Sequence, residues 1–216
     1  MKKILLLVAV LTLLTGSAFA TTVYDNFTGY SAYWHPLGNP NTATYGETFT
    51  APTNGDDAIQ NFSFYLAGPY QSGDIIMSAY LATWTGTNAG TLLYTSPSVD
   101  YPNTGDANLA FNTGGIALTP GASYVMFLSV SQYYGQSVGE SYVSQGDTSI
   151  PGSNFVFYNN GGDFSALFSS GWATGLKPDW AVTATFTPST PEPGTLGMFA
   201  FGLIGTLGAI RRKLSS

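Results

Sequence analysis

The middle of the sequence alternates apolar and polar side chains with a period of two. In NFSFYLAG one face carries Phe62, Phe64 and Leu66, and the opposite face carries Ser63 and Tyr65. SYVMFLSVS and WAVTATFTP alternate in the same way, whereas DIIMSAYLATW is bulky on both sides. A period of two is typical of strands with one buried and one solvent-facing side, and bulk on both sides indicates a central strand. The pattern therefore predicts an all-β body.

Turn-forming segments separate these runs, among them APTNGDD, AGPYQSGD, TGTNAG, FNTGG, LTPG and NNGGD. Short strands between such turns favour a sandwich or barrel. We expect a Greek-key or jelly-roll β-sandwich of about eight to ten strands. A long surface loop is expected at SQGDTSIPGSN. The predicted strands cover about 45–50, 59–67, 74–84, 91–95, 108–112, 123–132, 154–159 and 179–187.

The segment LTPGASY has the spacing of a tyrosine corner, with Leu118, Pro120, Gly121 and Tyr124. In that motif the tyrosine hydroxyl bonds to backbone a few residues upstream and pins a crossover between sheets. The alternative is that Tyr124 is simply an inward strand residue. Both interpretations are structural.

The first twenty residues have the three parts of a secretory signal. Two lysines follow Met1, an apolar run extends over residues 4–14, and Ala18 and Ala20 form an A-x-A cleavage site. A retained anchor is the alternative, but the run is too short to span a bilayer. We expect a signal helix over residues 1–20, engaged by the Sec translocon and cut after Ala20 by signal peptidase.

The predicted exported body, residues 21–187, is strongly acidic. It contains eleven acidic residues and one lysine, Lys177, which gives a net charge of −10. Nucleic acids and anionic lipids are unsuitable partners, because phosphate binding needs lysine and arginine. The many aromatic residues indicate a folded domain rather than an acidic disordered chain. With no cysteine in the chain, disulfides, thiolate nucleophiles and cysteine-ligated metals are excluded.

The end of the chain combines a Pro-rich linker at 188–194 with an apolar tail at 195–216. Residues 195–210 carry no charge, and Arg211, Arg212 and Lys213 follow. A helix of that apolar length measures ~24 Å, shorter than the ~30 Å hydrocarbon core of a bilayer. We expect a marginal transmembrane helix with its basic end in the cytoplasm. A helix this short is suited to a sorting signal that is removed after delivery. A plain stop-transfer anchor is the alternative.

The order of Pro191-Glu192-Pro193, an apolar Gly-rich helix and a basic cluster resembles the PEP-CTERM sorting signal of Gram-negative bacteria. The resemblance implies processing near the Pro-Glu-Pro motif by an exosortase, then delivery to the cell surface or exopolysaccharide matrix. The body is also similar to PEP-CTERM passengers of unassigned activity. The similar stretches are GETFTAP, NFSFYL, LLYTS, FNTGGIALTPGASYVMFLS and FVFYNNGGDFSAL.

Catalytic motifs are absent from the sequence. The single histidine, His35, is interpreted as a loop residue, and a triad would need a histidine base beside a nucleophile. Glu47 or Glu140 with an aspartate would be the carboxylates of a glycan hydrolase, but nothing in the sequence pairs them. Asp56 and Asp57 are weak calcium ligand candidates without EF-hand spacing. We expect no catalysis, no other metal and no obligatory cofactor.

Aromatic residues near turns are the better binding candidates, since exposed rings with Asn and Asp nearby can stack on sugars. Burial in the core is the alternative for each ring. The candidates are Tyr33, Trp34, Tyr70, Trp84 and Trp172, together with Tyr133 and Tyr134.

These features predict an exported surface or matrix protein with a structural or adhesive role and carbohydrate contact. A carbohydrate-binding module with one defined glycan is the alternative, and it requires at least two exposed aromatic rings side by side. A glycan hydrolase is the third, and it requires two carboxylates facing one cleft.

Overall fold

The structure is a computed structural model that describes residues 21–176 and 178–189, with the backbone alone for 33–35 and 175–176. Residues Thr21–Thr187 form one compact unit. The described chain contains two short 3₁₀ helices, Ser131–Tyr133 and Phe164–Phe168, and the following strands: β1 Thr22–Asp25, β2 Phe27–Gly38, β3 Thr44–Thr50, β4 Ala58–Gln71, β5 Ile75–Trp84, β6 Ala89–Thr95, β7 Val99–Tyr101, β8 Asp106–Ala117, β9 Ser123–Ser129, β10 Glu140–Gly146, β11 Phe155–Tyr158, β12 Ala173–Leu176, β13 Asp179–Trp180 and β14 Val182–Thr187.

The strands form two antiparallel sheets. The first sheet has the order β1-β14-β4-β10-β13, with β2 beside β10 and β8 beside β4. The second sheet has the order β12-β11-β3-β9-β5-β6, with β7 beside β5. Strands that follow one another in the chain repeatedly cross from one sheet to the other, as in Greek-key sandwiches. The predicted all-β sandwich is confirmed.

The core lies between the two sheets. Phe62, Phe64 and Phe186 enter it from the first sheet, and each is 0% exposed. Phe49 of the second sheet meets Phe186 with ring centroids 5.8 Å apart, and Tyr45 meets Trp180 at 6.4 Å. Burying each large apolar side chain contributes about 1.5–3 kcal/mol. Aromatic contacts across the sandwich therefore hold the body together without disulfides.

The strand count exceeds the expected eight to ten, because several short or edge strands have no apolar pattern. β1 and β2 were not predicted, and part of β10 lies in a segment expected to be a loop. Among the described strands β2 pairs with β10 alone, so it needs no continuous apolar face. Backbone hydrogen bonds hold β2 in the sheet. Because these bonds do not depend on side-chain hydropathy, the apolar pattern of the sequence does not predict them.

The strand β9 is covered on both faces, whereas its alternation predicted one solvent-facing side. Met126 and Leu128 face the main core, and Val125 and Phe127 belong to a second apolar cluster, all at 0% exposure. The 3₁₀ helix Phe164–Phe168 packs on that second cluster. A segment distant in sequence thus shields what the pattern alone assigns to solvent.

The predicted signal helix and transmembrane tail lie outside the described residues. Among the residues that are described, neither short helix is long and apolar enough to cross a membrane.

Candidate functional site

Among the predicted aromatic candidates whose side chains are described, Tyr70 lies most openly at the surface. It is 52% exposed near the end of β4, and its ring meets the ring of Tyr142 edge-on, with centroids 5.2 Å apart. Tyr142 alternates along β10 with the core residue Val143. Because successive side chains of a strand point to opposite faces, the pair lies on the outer face of the first sheet.

Three further rings lie together on the same outer face. Phe27 stacks on Tyr65 with centroids 3.9 Å apart and planes at 11°, and Tyr30 meets Phe27 edge-on at 5.1 Å. Tyr30 is 43% exposed. Alternation placed Tyr65 on the polar side of its strand, but it was not among the predicted binding residues. An aromatic residue in a polar position was the available signal.

A polar side chain and a carboxylate accompany these rings. The register between β4 and β8 places the exposed Asn108 directly opposite Tyr65. Partial burial raises the pKa of the Tyr65 hydroxyl, and the negative charge of Asp25 raises it further. The phenol therefore stays neutral at physiological pH and can both donate and accept hydrogen bonds.

Trp172 is buried, which removes it from the surface candidates. It is 5% exposed, and its Nε1 donates to the Leu167 carbonyl at 2.9 Å. Trp84 is half-buried and meets Trp172 edge-on at 5.7 Å. Both rings belong to the second apolar cluster, where packing rather than ligand contact accounts for them.

The remaining predicted rings are less exposed or are not described. The backbone register places Tyr33 of β2 opposite Val143, but the side chains of Tyr33, Trp34 and His35 are outside the description. Tyr134 is half-buried, and its hydroxyl donates to the Pro40 carbonyl at 3.0 Å. Tyr133 is half-buried as well.

The segment predicted as a tyrosine corner has a local hydrogen bond. The Thr119 backbone N–H donates to the Tyr124 hydroxyl at 2.7 Å, five positions upstream of the tyrosine. Leu118 is buried, and its N–H donates to the Asp57 carbonyl at 2.7 Å. Gly121 has a φ of +75°, which suits glycine because it has no Cβ. Pro120 is exposed at the turn.

The weak calcium candidates are part of a hydrogen-bonded loop. Asp56 is 2% exposed, and its Oδ2 accepts from the Thr22 hydroxyl at 2.6 Å and from Asn54 Nδ2 at 3.3 Å. Asp57 is half-buried beside it. Within residues 21–176 and 178–189, no three His, Cys, Asp or Glu residues come together as a metal site would need.

Three other acids are buried inside the sandwich. Glu47 and Asp179 are 0% and 1% exposed; Glu47 Oε2 accepts from the Trp180 N–H at 3.0 Å, and Asp179 Oδ2 accepts from the Ser153 hydroxyl at 2.6 Å. Glu140 is 1% exposed, and its Oε1 accepts from the Asn41 N–H at 2.8 Å. Each of these carboxylates accepts a hydrogen bond from another segment of the chain and is at most 1% exposed.

Fold and tail together define a β-sandwich passenger domain followed by a sorting signal. The sequence model of the family described as the PEP-CTERM protein-sorting motif matches residues 189–213. The chain is therefore a PEP-CTERM domain-containing protein, as the resemblance implied. The motif indicates an exported, cell-surface protein sorted by an exosortase. The matched residues Pro191, Glu192 and Pro193 lie beyond the described part of the structure.

No curated protein matches the chain. A similar solved structure is the crystal structure of the cysteine protease and lectin-like domains of Cwp84, a surface layer associated protein of Clostridium difficile. The two chains are 10% identical with a TM-score of 0.40, over 77% of this chain and 36% of that chain. This chain thus spans little more than a third of the length of the structure it matches.

Proposed function

We propose that the protein is a structural or adhesive component of the cell surface or exopolysaccharide matrix and acts without catalysis. The observation that carries the proposal is the position of the sorting motif. It begins at residue 189, directly after β14, the last strand of a body that folds as one compact unit. A self-contained domain joined to a sorting signal by a few residues is suited to delivery and display.

The proposed route uses the Sec translocon and signal peptidase at Ala18 and Ala20, and then an exosortase at the Pro191–Pro193 motif. The protein would reside in the inner membrane of a Gram-negative bacterium only until the exosortase acts. The basic residues Arg211, Arg212 and Lys213 would hold the tail on the cytoplasmic side.

The absence of catalysis in this proposal is supported by the burial of the candidate carboxylates. Glu47 and Glu140 are at most 1% exposed, so a bulky glycan has no access to them. Hydrolysis of a glycoside needs two carboxyl groups about 5 to 10 Å apart on either side of the scissile bond. The hydrolase alternative is therefore the least favoured.

The carbohydrate-binding alternative is favoured by one specific observation, the exposed ring of Tyr70 in contact with the half-buried ring of Tyr142. A module of this kind requires two aromatic side chains exposed side by side, and in this pair only Tyr70 is fully exposed, so the role stands second. We propose no cofactor for either role, because the Asp56 carboxylate already accepts hydrogen bonds from Thr22 and Asn54.

Fractionation of cells with and without exopolysaccharide tests the proposed role. With the polymer present, we expect the protein in the matrix fraction, recovered with the polysaccharide after gentle shearing. In cells that make no exopolysaccharide, we expect it in the medium or loosely on the cell surface. Retention in the inner membrane in both strains would contradict a matrix role.

A further inference from the structure

Five rings on the outer face of the first sheet define an aromatic face: Phe27, Tyr30, Tyr65, Tyr70 and Tyr142. Tyr65 points outward because its neighbours in β4, Phe64 and Leu66, point into the core. Tyr142 points outward because its neighbour in β10, Val143, points into the core. The two ring groups therefore share one face of one sheet.

The two groups are spaced along the strand direction. Tyr65 and Tyr70 are five positions apart on β4, which corresponds to roughly 15 Å of strand. An odd spacing would place them on opposite faces of a regular strand, but the register of β4 against β10 shifts by one residue between Leu66 and Pro69, and this bulge returns Tyr70 to the outer face. The ends of the face are the most open, with Tyr30 at 43% and Tyr70 at 52% exposure. An elongated polymer lying along β4 can therefore contact both groups at once.

The face is amphipathic rather than purely apolar. The Phe27–Tyr65 pair presents two closely stacked rings, with centroids 3.9 Å apart. Asn108 stands across from Tyr65 and offers both amide donors and a carbonyl acceptor. Flat rings with a negative π-face beside hydrogen-bonding groups suit a sugar ring, which presents C–H groups on its faces and hydroxyls at its edge.

The charge around the face disfavours an anionic ligand. The strands β2, β4, β8 and β10 contain no lysine or arginine. Asp25 is close enough to raise the pKa of Tyr65, and Asp106 begins the neighbouring strand β8. A polymer of uronic acids or sulfated sugars would be repelled, because nothing in these strands compensates its charge.

We propose that the aromatic face binds a chain of neutral polysaccharide, with the Phe27–Tyr30–Tyr65 group and the Tyr70–Tyr142 pair as two stacking subsites. Asn108 supplies a hydrogen bond to a sugar hydroxyl beside Tyr65. This inference rests on the proposed function, since it names the contact by which the displayed body holds to the matrix.

Affinity electrophoresis of residues 21–189, which contain the compact unit, tests the proposal. The probes are hydroxyethylcellulose and a galactomannan as neutral polymers, with polygalacturonate as the anionic one. We expect a neutral polymer to retard the body and polygalacturonate to leave it unretarded. The double variant Tyr30→Ala/Tyr70→Ala should weaken retardation by about tenfold or more, because it removes the most exposed ring of each stacking subsite.

The matched control is Leu92→Ala, a 39% exposed apolar residue in β6 of the second sheet. It should bind like the wild type, and circular dichroism should show that all variants fold. No retardation by either neutral polymer, or equal retardation of the wild type and the double variant, would overturn the proposal. A wild-type dimer that the double variant converts to a monomer would also overturn it, because the face would then be a self-association surface.

Matrix fractionation of cells that express the double variant in the full chain separates the two claims. If the aromatic face is the contact, the variant should be sorted normally but released from the matrix. A variant that stays in the matrix like the wild type would refute the aromatic face as the contact and leave the proposed function standing.

Discussion

The Thr22 hydroxyl donates a hydrogen bond of 2.6 Å to Asp56 Oδ2, joining the first strand to the loop between β3 and β4. Asn54 Nδ2 reinforces the contact by donating to Thr22 Oγ1 at 2.7 Å. β1 is a four-residue edge strand whose partner is β14, the strand that leads to the sorting motif. The Thr22–Asp56 contact thus secures the edge at which the body both begins and ends.

Replacing Asp56 by asparagine should destabilise the body, because a buried charged acceptor is lost. Hydrogen bonds to charged groups contribute about 1.5–3 kcal/mol. Urea unfolding of residues 21–189 measures the loss. Thr22→Val should cost less, and the double variant should show less than the sum of the two effects, since the pair is in contact.

Asp100→Asn is the matched control for Asp56→Asn, because it removes the same charge from an exposed position. We expect it to change the free energy of unfolding by no more than about 0.5 kcal/mol. Equal effects of the two variants would contradict the structural role of Asp56. Chelation with EDTA should leave the midpoint unchanged, and a calcium-dependent rise that Asp56→Asn abolishes would make the loop a cation site.

Tyr124→Phe should destabilise the body by about 0.5–1.5 kcal/mol, because the Thr119 N–H loses its acceptor on the tyrosine hydroxyl. Chemical unfolding measures the difference. Tyr70→Phe is the control, since it removes a hydroxyl from a tyrosine that is 52% exposed. If the two variants were equally stable, the Tyr124 hydroxyl would contribute nothing to the crossover.

Trp172→Ala should be among the most destabilising single changes, at about 3–5 kcal/mol, because it removes a buried ring from the second cluster. Trp172→Phe keeps most of the volume but loses the bond from Nε1 to Leu167, so it should cost less. Thermal unfolding measures which of the two variants is less stable. Neutral polymers should retard Trp172→Phe as much as the wild type. A loss of polymer binding without a loss of stability would show that Trp172 contacts the ligand.

Asp163→Asn should lower the unfolding temperature at neutral pH and have less effect in acid. Asp163 Oδ1 accepts from the Ser165 hydroxyl at 2.7 Å and from the Ala166 N–H at 3.2 Å, and these bonds lower its pKa from 3.8. A lowered pKa means that the carboxylate stabilises the fold above its unfolded pKa. That contribution is lost as the pH falls through the lower folded value.

Unfolding temperatures of wild type and Asp163→Asn between pH 7 and pH 2 test this sign. The difference between them should be constant near neutrality and shrink once the pH falls below about 4. A difference that stays the same in acid would show that the charged form of Asp163 has no special role in beginning the 3₁₀ helix.

The core could be predicted from the sequence wherever alternation alone decides which side chains are buried. Phe62, Phe64 and Leu66 of β4 share the apolar face of the alternating pattern, and all three are 0% exposed. Alternation alone would leave Phe127 of β9 facing solvent, but Phe164 and Phe168 pack on its cluster, and the local pattern cannot place that segment.

The candidate site was predictable only in part, for the same physical reason. Tyr70 stood out beside turn-forming residues, but its partner Tyr142 comes from β10, part of which was expected to be loop. Phe27 reaches Tyr65 only because β2 joins β10 at the sheet edge. Alternation assigns a face to each side chain, whereas strand pairing decides which side chains become neighbours.

The mass of the mature protein, recovered from the cell surface and the medium, decides whether the tail is a sorting signal that is removed. We predict a chain that begins at Thr21 and ends near Pro193. A variant with Pro191, Glu192 and Pro193 all changed to alanine should keep its tail. A mass that extends through Ser216 in both proteins would contradict exosortase sorting and indicate a permanent membrane anchor instead.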